Sequence, residues 1–256
     1  MTSKLDVVGI GNAMVDAVIL SNKNEIGKHQ INRDSMNLID EDLKNSLHDQ
    51  YKIREMVGGG SLGNSMFGIT SFGGNGSFIG KIKKDEIGIY LQKDMVSEGL
   101  QFPLGFTSPD ISTGCCTIFV EEDGTRTMCT FLGAGTLIGP EDINSEHITS
   151  HKIAYLEGYL WDNLNAKKAM KKMVDICKAD GQLIAFTLSD LFCVDRHRDS
   201  FKELIENDVD ILFANEDEIA AMCQSSSFED SVDYAKSLNR IVAITRAAKG
   251  SIIVDK

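Results

Sequence analysis

The 256 residues hold 38 Asp and Glu against 26 Lys and Arg, a formal net charge of −12, with 42% hydrophobic and 25% charged residues. This is the balance of a globular chain long enough to bury a sizeable core. Its acidity argues against a nucleic-acid surface, which needs clustered cations, though backbone amides and a few local cations can still hold a nucleotide.

No apolar run reaches membrane-span length, and Met1-Thr2-Ser3-Lys4-Leu5-Asp6 leads directly into a strand-like segment, so neither a membrane partner nor a cleaved signal is expected. Leu5–Gly11 reads as a buried first strand. Gly9-Ile10-Gly11-Asn12-Ala13-Met14-Val15-Asp16 starts like a dinucleotide fingerprint. The third glycine is missing, however, and Val15, Ala17, Val18 and Ile19 continue as a strand, which argues against a Rossmann site. Asp16 lies among apolar residues, where an ionised carboxylate is costly unless paired. It therefore reads as an acceptor for ligand hydroxyls.

Asp40 is placed to cap a helix beginning at Glu41. The run Met56-Val57-Gly58-Gly59-Gly60-Ser61-Leu62-Gly63-Asn64 leads into a helical stretch with Leu62, Met66 and Ile69 on one face. A glycine loop feeding a helix offers backbone N–H groups to a hydroxyl-rich or anionic ligand; a tight packing turn is the alternative. Ile79 to Gly88 forms a second glycine-bearing segment. Ile87, Tyr90, Leu91 and Met95 share a helical face, as do Met170, Met173, Val174 and Cys177.

Leu183–Phe186 and Asp210–Phe213 read as short buried strands that lead to Ser189-Asp190 and to Asn215-Glu216-Asp217-Glu218. The strand Ile241–Ile244 ends in the turn Thr245-Arg246-Ala247-Ala248-Lys249-Gly250-Ser251. This alternation of strand and helix predicts an α/β fold with a mostly parallel sheet flanked by helices, whose ligands collect where strands end. Residues 13–38 and about 104–131, with the turn signal Glu122-Asp123-Gly124-Thr125, read instead as a separate small sheet.

The six cysteines (Cys115, Cys116, Cys129, Cys177, Cys193, Cys223) show no Cys-x-x-Cys spacing and read as reduced, mostly buried thiols of a cytoplasmic protein. The five histidines show no metal-ligand spacing, and His197, between Arg196 and Arg198, reads as part of a basic helix start.

Gly59-Gly60-Ser61 with Asn64, followed by Ile79-Gly80-Lys81-Ile82-Lys83-Lys84-Asp85-Glu86-Ile87-Gly88, resembles the first signature of the PfkB carbohydrate kinase family, the ribokinase and adenosine kinase group. Asn12 to Asp16, Asp123-Gly124-Thr125-Arg126-Thr127-Met128, Leu132-Gly133-Ala134, Leu156 to Trp161 and Leu188 to Arg198 resemble its bacterial adenosine kinase-like branch. The resemblance implies a ribokinase-like, doubly wound fold over 1–256. Residues 13–38 and 104–131 would form a small β-sheet lid whose closure excludes water.

It further implies an ATP- and Mg²⁺-dependent phosphotransferase acting on adenosine or a related sugar or nucleoside, as a monomer or a lid-mediated homodimer. Asn12, Asp16, Gly59, Gly60, Ser61 and Asn64 would hold the acceptor, with Cys116 near its base and Tyr159 stacked on it; core packing is the alternative for Tyr159. Asp190, Asn215, Thr245, Arg246, Lys249 and Gly250 would meet the nucleotide, and Glu218 a Mg²⁺ through water. A capped helix with an acidic first turn equally explains Asn215 and Glu218, and a solvated turn equally explains Arg246 and Lys249.

Ala247 stands where the family's turn commonly has glycine, which speaks against a positive φ there. The family's second signature, Gly-Ala-Gly-Asp, supplies its general base and anion hole. It does not occur in the sequence and is expected after Lys256, on a C-terminally incomplete chain. A nucleoside- or sugar-binding protein without transfer activity is the rival expectation.

Overall fold

The structure is a computed structural model that describes residues 4–22, 29, 31–103 and 110–255. In chain order the elements are β1 (Leu5–Ile10), β2 (Met14–Leu20), β3 (Met36–Leu38), α1 (Glu41–Gln50), β4 (Glu55–Gly59) and α2 (Ser61–Ser71). Next come β5 (Gly76–Ile79), α3 (Glu86–Ser97), β6 (Gly114–Val120), β7 (Arg126–Phe131), α4 (Ser145–Thr149), β8 (His151–Glu157) and α5 (Leu164–Asp180). The chain continues through β9 (Leu183–Thr187), α6 (Leu191–Asn207), β10 (Ile211–Asn215), α7 (Glu216–Cys223), α8 (Phe228–Ser237), β11 (Ile241–Thr245) and β12 (Ser251–Val254). Two compact units result. One takes in the residues up to Ile10, Gly74–Ser77 and everything from Gly139; the other takes in Gly11–Gly73 and Phe78–Ile138.

The first unit is built on the sheet of order β12-β11-β10-β9-β8-β1-β5. β1, β8, β9, β10 and β11 pair in parallel, and β12 closes the edge antiparallel to β11. Val7, Val8 and Ile10 are all buried, which is the continuous apolar run a parallel strand needs when both its faces are covered. Asn163 caps α5 by accepting from the Asn165 and Ala166 amides, and Gly181 ends it at φ +71°, the left-handed turn glycine adopts without strain. Met170, Met173, Val174 and Cys177 form the buried stripe of that helix, as their spacing predicts.

Ser77 and His151 are fully buried in this unit. Ser77 Oγ lies 2.7 Å from His151 Nε2 and 3.0 Å from His147 Nε2, while His151 Nδ1 lies 2.8 Å from the His147 carbonyl oxygen. A carbonyl only accepts, so His151 carries its hydrogen on Nδ1 and accepts a hydrogen bond from the Ser77 hydroxyl at Nε2, leaving His147 to donate from Nε2 to Ser77 Oγ.

The second unit holds the small sheet, of order β3-β7-β6-β2-β4. Along β2 the odd residues Val15, Ala17 and Ile19 are buried and Asp16, Val18 and Leu20 are more exposed, the alternation of a sheet covered on one face. Asp40 caps α1 as read, accepting from the Leu43 amide. Beneath the sheet Ile19, Leu47, Phe119 and Cys129 pack with Leu43, Tyr51 and Ile53. The β6–β7 hairpin turns at Gly124, φ +82°.

Several expectations need correction. Residues 56–59, read as part of a loop, belong to β4, the edge strand beside β2. Met56 and Gly58 turn their outward backbone groups to α3: Tyr90 Oη donates to the Met56 carbonyl at 2.5 Å and the Gly58 amide donates to Asp94 Oδ2 at 2.7 Å. His197 lies in the body of α6, not at its start, and reaches Asp162 Oδ1 at 2.6 Å. Ala247 adopts φ +47° despite its Cβ. Of the stretches read as a lid, residues 23–28, 30 and 104–109 lie outside the described residues. Among the described residues no helix is long and apolar enough to cross a membrane.

Candidate active site

In the second unit, β2 carries Asp16 beside Val57 of β4 and Cys116 of β6. β4 ends at Gly59, and α2 begins after Gly60 without a side-chain cap. A Cβ on Gly59 would fall 2.3–2.5 Å from the Asp16 carboxylate, so only glycine admits that contact. Gly60 has φ +84° and ψ 159°, a region essentially restricted to glycine. This backbone turns the Gly60 amide onto Asp16, where it donates together with the Asn64 side chain. Burial nevertheless outweighs both donors and raises the Asp16 pKa above the ordinary carboxylate value.

Asn12, 5% exposed, has its side-chain oxygen 3.1 Å from where a Cβ on Gly135 would stand. Cys116 is buried, its thiol is pushed up to about 12, and Thr130 Oγ1 donates to its sulfur at 3.4 Å. It is thus a neutral, inert thiol beside a carboxylate. Ser61 is exposed at the first turn of α2. Gly59, Gly60 and Asn64 each meet Asp16, with Cys116 beside it on β6 and Asn12 next to Gly60.

In the first unit the remaining candidates cluster at the C-terminal ends of β8 to β11. Tyr159 Oη donates to Asp190 Oδ2 at 3.3 Å, and the Tyr159 amide lies 3.3 Å from Ser189 Oγ. Burial and the Asp190 charge keep the phenol protonated. Asp190 caps α6 through the Phe192 amide, just after Ser189 at φ +73°. Asn215 caps α7, accepting from the Asp217 and Glu218 amides. Glu218 answers by accepting from the Asn215 backbone and side-chain nitrogens at 3.0 and 2.8 Å, a closed capping box. Burial pushes the Glu218 carboxyl up to about 7, with Asp190 and Asp217 adding to the rise.

Thr245 lies opposite Asn215 in the β10–β11 register. Arg246 donates from Nε to Glu216 Oε2 at 3.0 Å, its guanidinium 3.6 Å from the Phe228 ring centre, and Lys249 Nζ reaches Glu216 Oε1 at 3.1 Å. Gly250 closes the turn at φ +83°. One carboxylate holds both cations at the mouth of the turn, and Lys249 stays exposed to solvent. Among the described residues no group of three His, Cys, Asp or Glu side chains is arranged to hold a metal. The hard carboxylate oxygens of Glu218 suit a Mg²⁺ that keeps its waters.

Sequence reading passed over three features here. Gly58 is closed off by Asp94 and the Phe67 ring, each 2.6 Å from a would-be Cβ. The Phe228 ring under Arg246 and the contact of Gly135 with Asn12 were also missed. Each joins residues far apart in the chain, and only the shared helical face of Tyr90 and Asp94 left a local signal.

The sequence pattern of the pfkB family carbohydrate kinases matches residues 29–256. The crystal structure of a probable sugar kinase from Rhizobium etli CFN 42 is 34% identical, covers 99% of this chain and 77% of its own, and superposes with a TM-score of 0.92. Adenosine kinase from Sinorhizobium meliloti is 35% identical, with 99% and 78% covered and a TM-score of 0.92. Probable fructokinase-2 of Arabidopsis thaliana is 24% identical over 135 residues, 50% of this chain and 40% of its own length, so this chain spans well under two thirds of that curated relative. The chain belongs to the pfkB family of carbohydrate kinases, with the ribokinase-like arrangement of a mostly parallel sheet between helices and a second small sheet.

Proposed function

We propose that this chain acts as a phosphotransferase carrying the γ-phosphoryl group of Mg·ATP to a hydroxyl of adenosine or a related nucleoside or sugar. The observation that carries this reading is the Asp16 carboxylate, drawn into the second unit and held by the Gly60 amide and Asn64. A carboxylate has about four lone-pair sites, so two vicinal hydroxyls can still donate to it. Burying this carboxylate costs free energy, which supports a ligand-binding role for it. Asn12, Gly59, Ser61 and Cys116 would complete the acceptor side, and Tyr159 would contact the nucleoside.

On the nucleotide side Thr245, Arg246, Lys249 and the Gly250 backbone would meet phosphates, with Asp190 and Asn215 beside them. Glu218 would meet Mg²⁺ through water. Bound Mg·ATP would supply the phosphoryl group and neutralise part of its charge. No residue of the chain is assigned as general base. The reading takes one kinase domain over the whole chain, with residues 13–38 and 104–131 as its lid. One observation favours the rival, a binding protein without transfer: Asn215 and Glu218 satisfy each other, so serving a metal requires that box to open.

Calorimetric titration of the chain with adenosine, ribose and fructose tests acceptor binding, and adenosine-dependent release of ADP from ATP separates transfer from binding alone. Adenosine is expected to bind most tightly, and Asp16→Asn to weaken it. Absence of binding by all three would refute the acceptor site.

A further inference from the structure

An edge strand leaves alternate N–H and C=O groups without ladder partners. On β4 these belong to Met56 and Gly58, whose carbonyl and amide bond to side chains of α3 on the side away from β2. Helix α3 supplies one partner of each kind from side chains four residues apart, and so on one helical face. The Tyr90 phenol donates to the Met56 carbonyl at 2.5 Å, and the Asp94 carboxylate accepts the Gly58 amide at 2.7 Å. Burial and the nearby charges of Asp94 and Glu55 raise the Tyr90 pKa and so keep it a donor.

Gly58 has no room to shift or to carry a side chain, since a Cβ would meet Asp94 and Phe67 at 2.6 Å. One residue further on, Gly59 presses its backbone against the Asp16 carboxylate, and Gly60 donates its amide there.

We propose that Tyr90 and Asp94 are positioning residues of the acceptor site, fixing β4 from its outer edge so that the Gly59–Gly60 backbone is held against Asp16. The inference deepens the acceptor reading given above and rests on it for its ligand. The anchored pair stands where a sixth strand would stand. It sets the height of the strand without contributing an atom to the ligand, so its loss acts through the Gly60 amide. Asp94→Ala removes the acceptor for Gly58, and Asp94→Asn restores one through its side-chain oxygen. Tyr90→Phe deletes only the hydroxyl.

The test is amide hydrogen exchange by NMR on the 256-residue chain and these variants, beside calorimetric titration with adenosine. Asp94→Ala is expected to speed exchange of the Gly60 amide at least tenfold, leave the β6–β7 amides unchanged and weaken adenosine binding at least tenfold. Asp94→Asn is expected to recover both to within about threefold of the parent. Tyr90→Phe, a variant that keeps the ring packing, is expected to move both in the same direction by a smaller factor. Unchanged Gly60 exchange in both Asp94→Ala and Tyr90→Phe would overturn the proposal, as would a rise spread evenly over the unit or no rescue by Asn. If the parent chain does not bind adenosine, the acceptor reading fails, while the exchange of Gly60 still decides the present one.

Discussion

Among the described residues, Asp16 and Glu218 are carboxylates whose burial outweighs their partners. For both, the folded state holds its proton more tightly than the unfolded chain. Their contribution to stability is therefore present at low pH and lost as pH rises past the ordinary carboxylate value towards the raised one. Asp16→Asn should raise the thermal midpoint at pH 7, where the ionised carboxylate is the costly form to bury. The gain should shrink towards pH 4. The same variant should weaken adenosine binding by about 1.5–3 kcal/mol, the worth of hydrogen bonds to a charged group. Thermal melts and calorimetry together check both signs; a variant less stable at pH 7 and equally able to bind would make Asp16 a structural residue. For Glu218, a carboxyl ¹³C titration should give a midpoint near 7. Glu218→Gln should flatten the stability–pH curve between about 4.5 and 7 while leaving the curve below it alone.

At the scale of elements, the start of α2 and the β11–β12 turn depend on backbone conformations that side chains resist. Gly60→Ala should cost about 1–3 kcal/mol of stability, the expense of a side chain in a glycine-only region. It should also abolish acceptor binding, because the amide on Asp16 moves with it. Denaturant unfolding and adenosine titration would detect a variant that kept both. Ala247 at φ +47° presents the opposite case: Ala247→Gly should stabilise by about 0.5–1 kcal/mol, the left-handed penalty less the entropy of glycine.

These same elements mark where sequence reading worked and where it stopped. The first strand, the cap at Asp40 and the α5 stripe follow from local patterns of burial and hydrogen bonding, and all three stand where they were read. The glycine run hid a strand because glycine carries no alternating side chains to reveal period two. The Asp16–Gly59–Gly60–Asn64 grouping was legible as motif chemistry. The hold of Glu216 on Arg246 and Lys249 was not, since it joins α7 to a turn some 30 residues away. The positive φ of Ala247 defeated a rule of propensity that the Gly250 turn overrides.

For the whole molecule, the candidate residues divide between the units: Asn12 to Cys116 in one, Tyr159 to Gly250 in the other. Adenosine should therefore slow amide exchange chiefly in β2, β4 and the first turn of α2. Mg·ATP should slow it chiefly around Asn215–Glu218 and 245–250. At about 100 times its Kd either ligand should add about 2.7 kcal/mol to the stability of the part it binds. Exchange mass spectrometry with each ligand alone would expose the reverse pattern, which would contradict the division of roles.

The discontinuity of the first unit also sets a timetable for synthesis. β1 leaves the ribosome well before β8, the neighbour whose His151 stands opposite Leu5. At 5–20 residues per second, roughly 7–30 s pass before that neighbour exists. In that interval Gly11–Gly73 and Phe78–Ile138 emerge complete, so the second unit can form first while Val7, Val8 and Ile10 wait with an unpaired edge. A nascent chain stalled before residue 151 should accordingly carry a formed second unit and a β1 with one edge still unpaired and prone to associate.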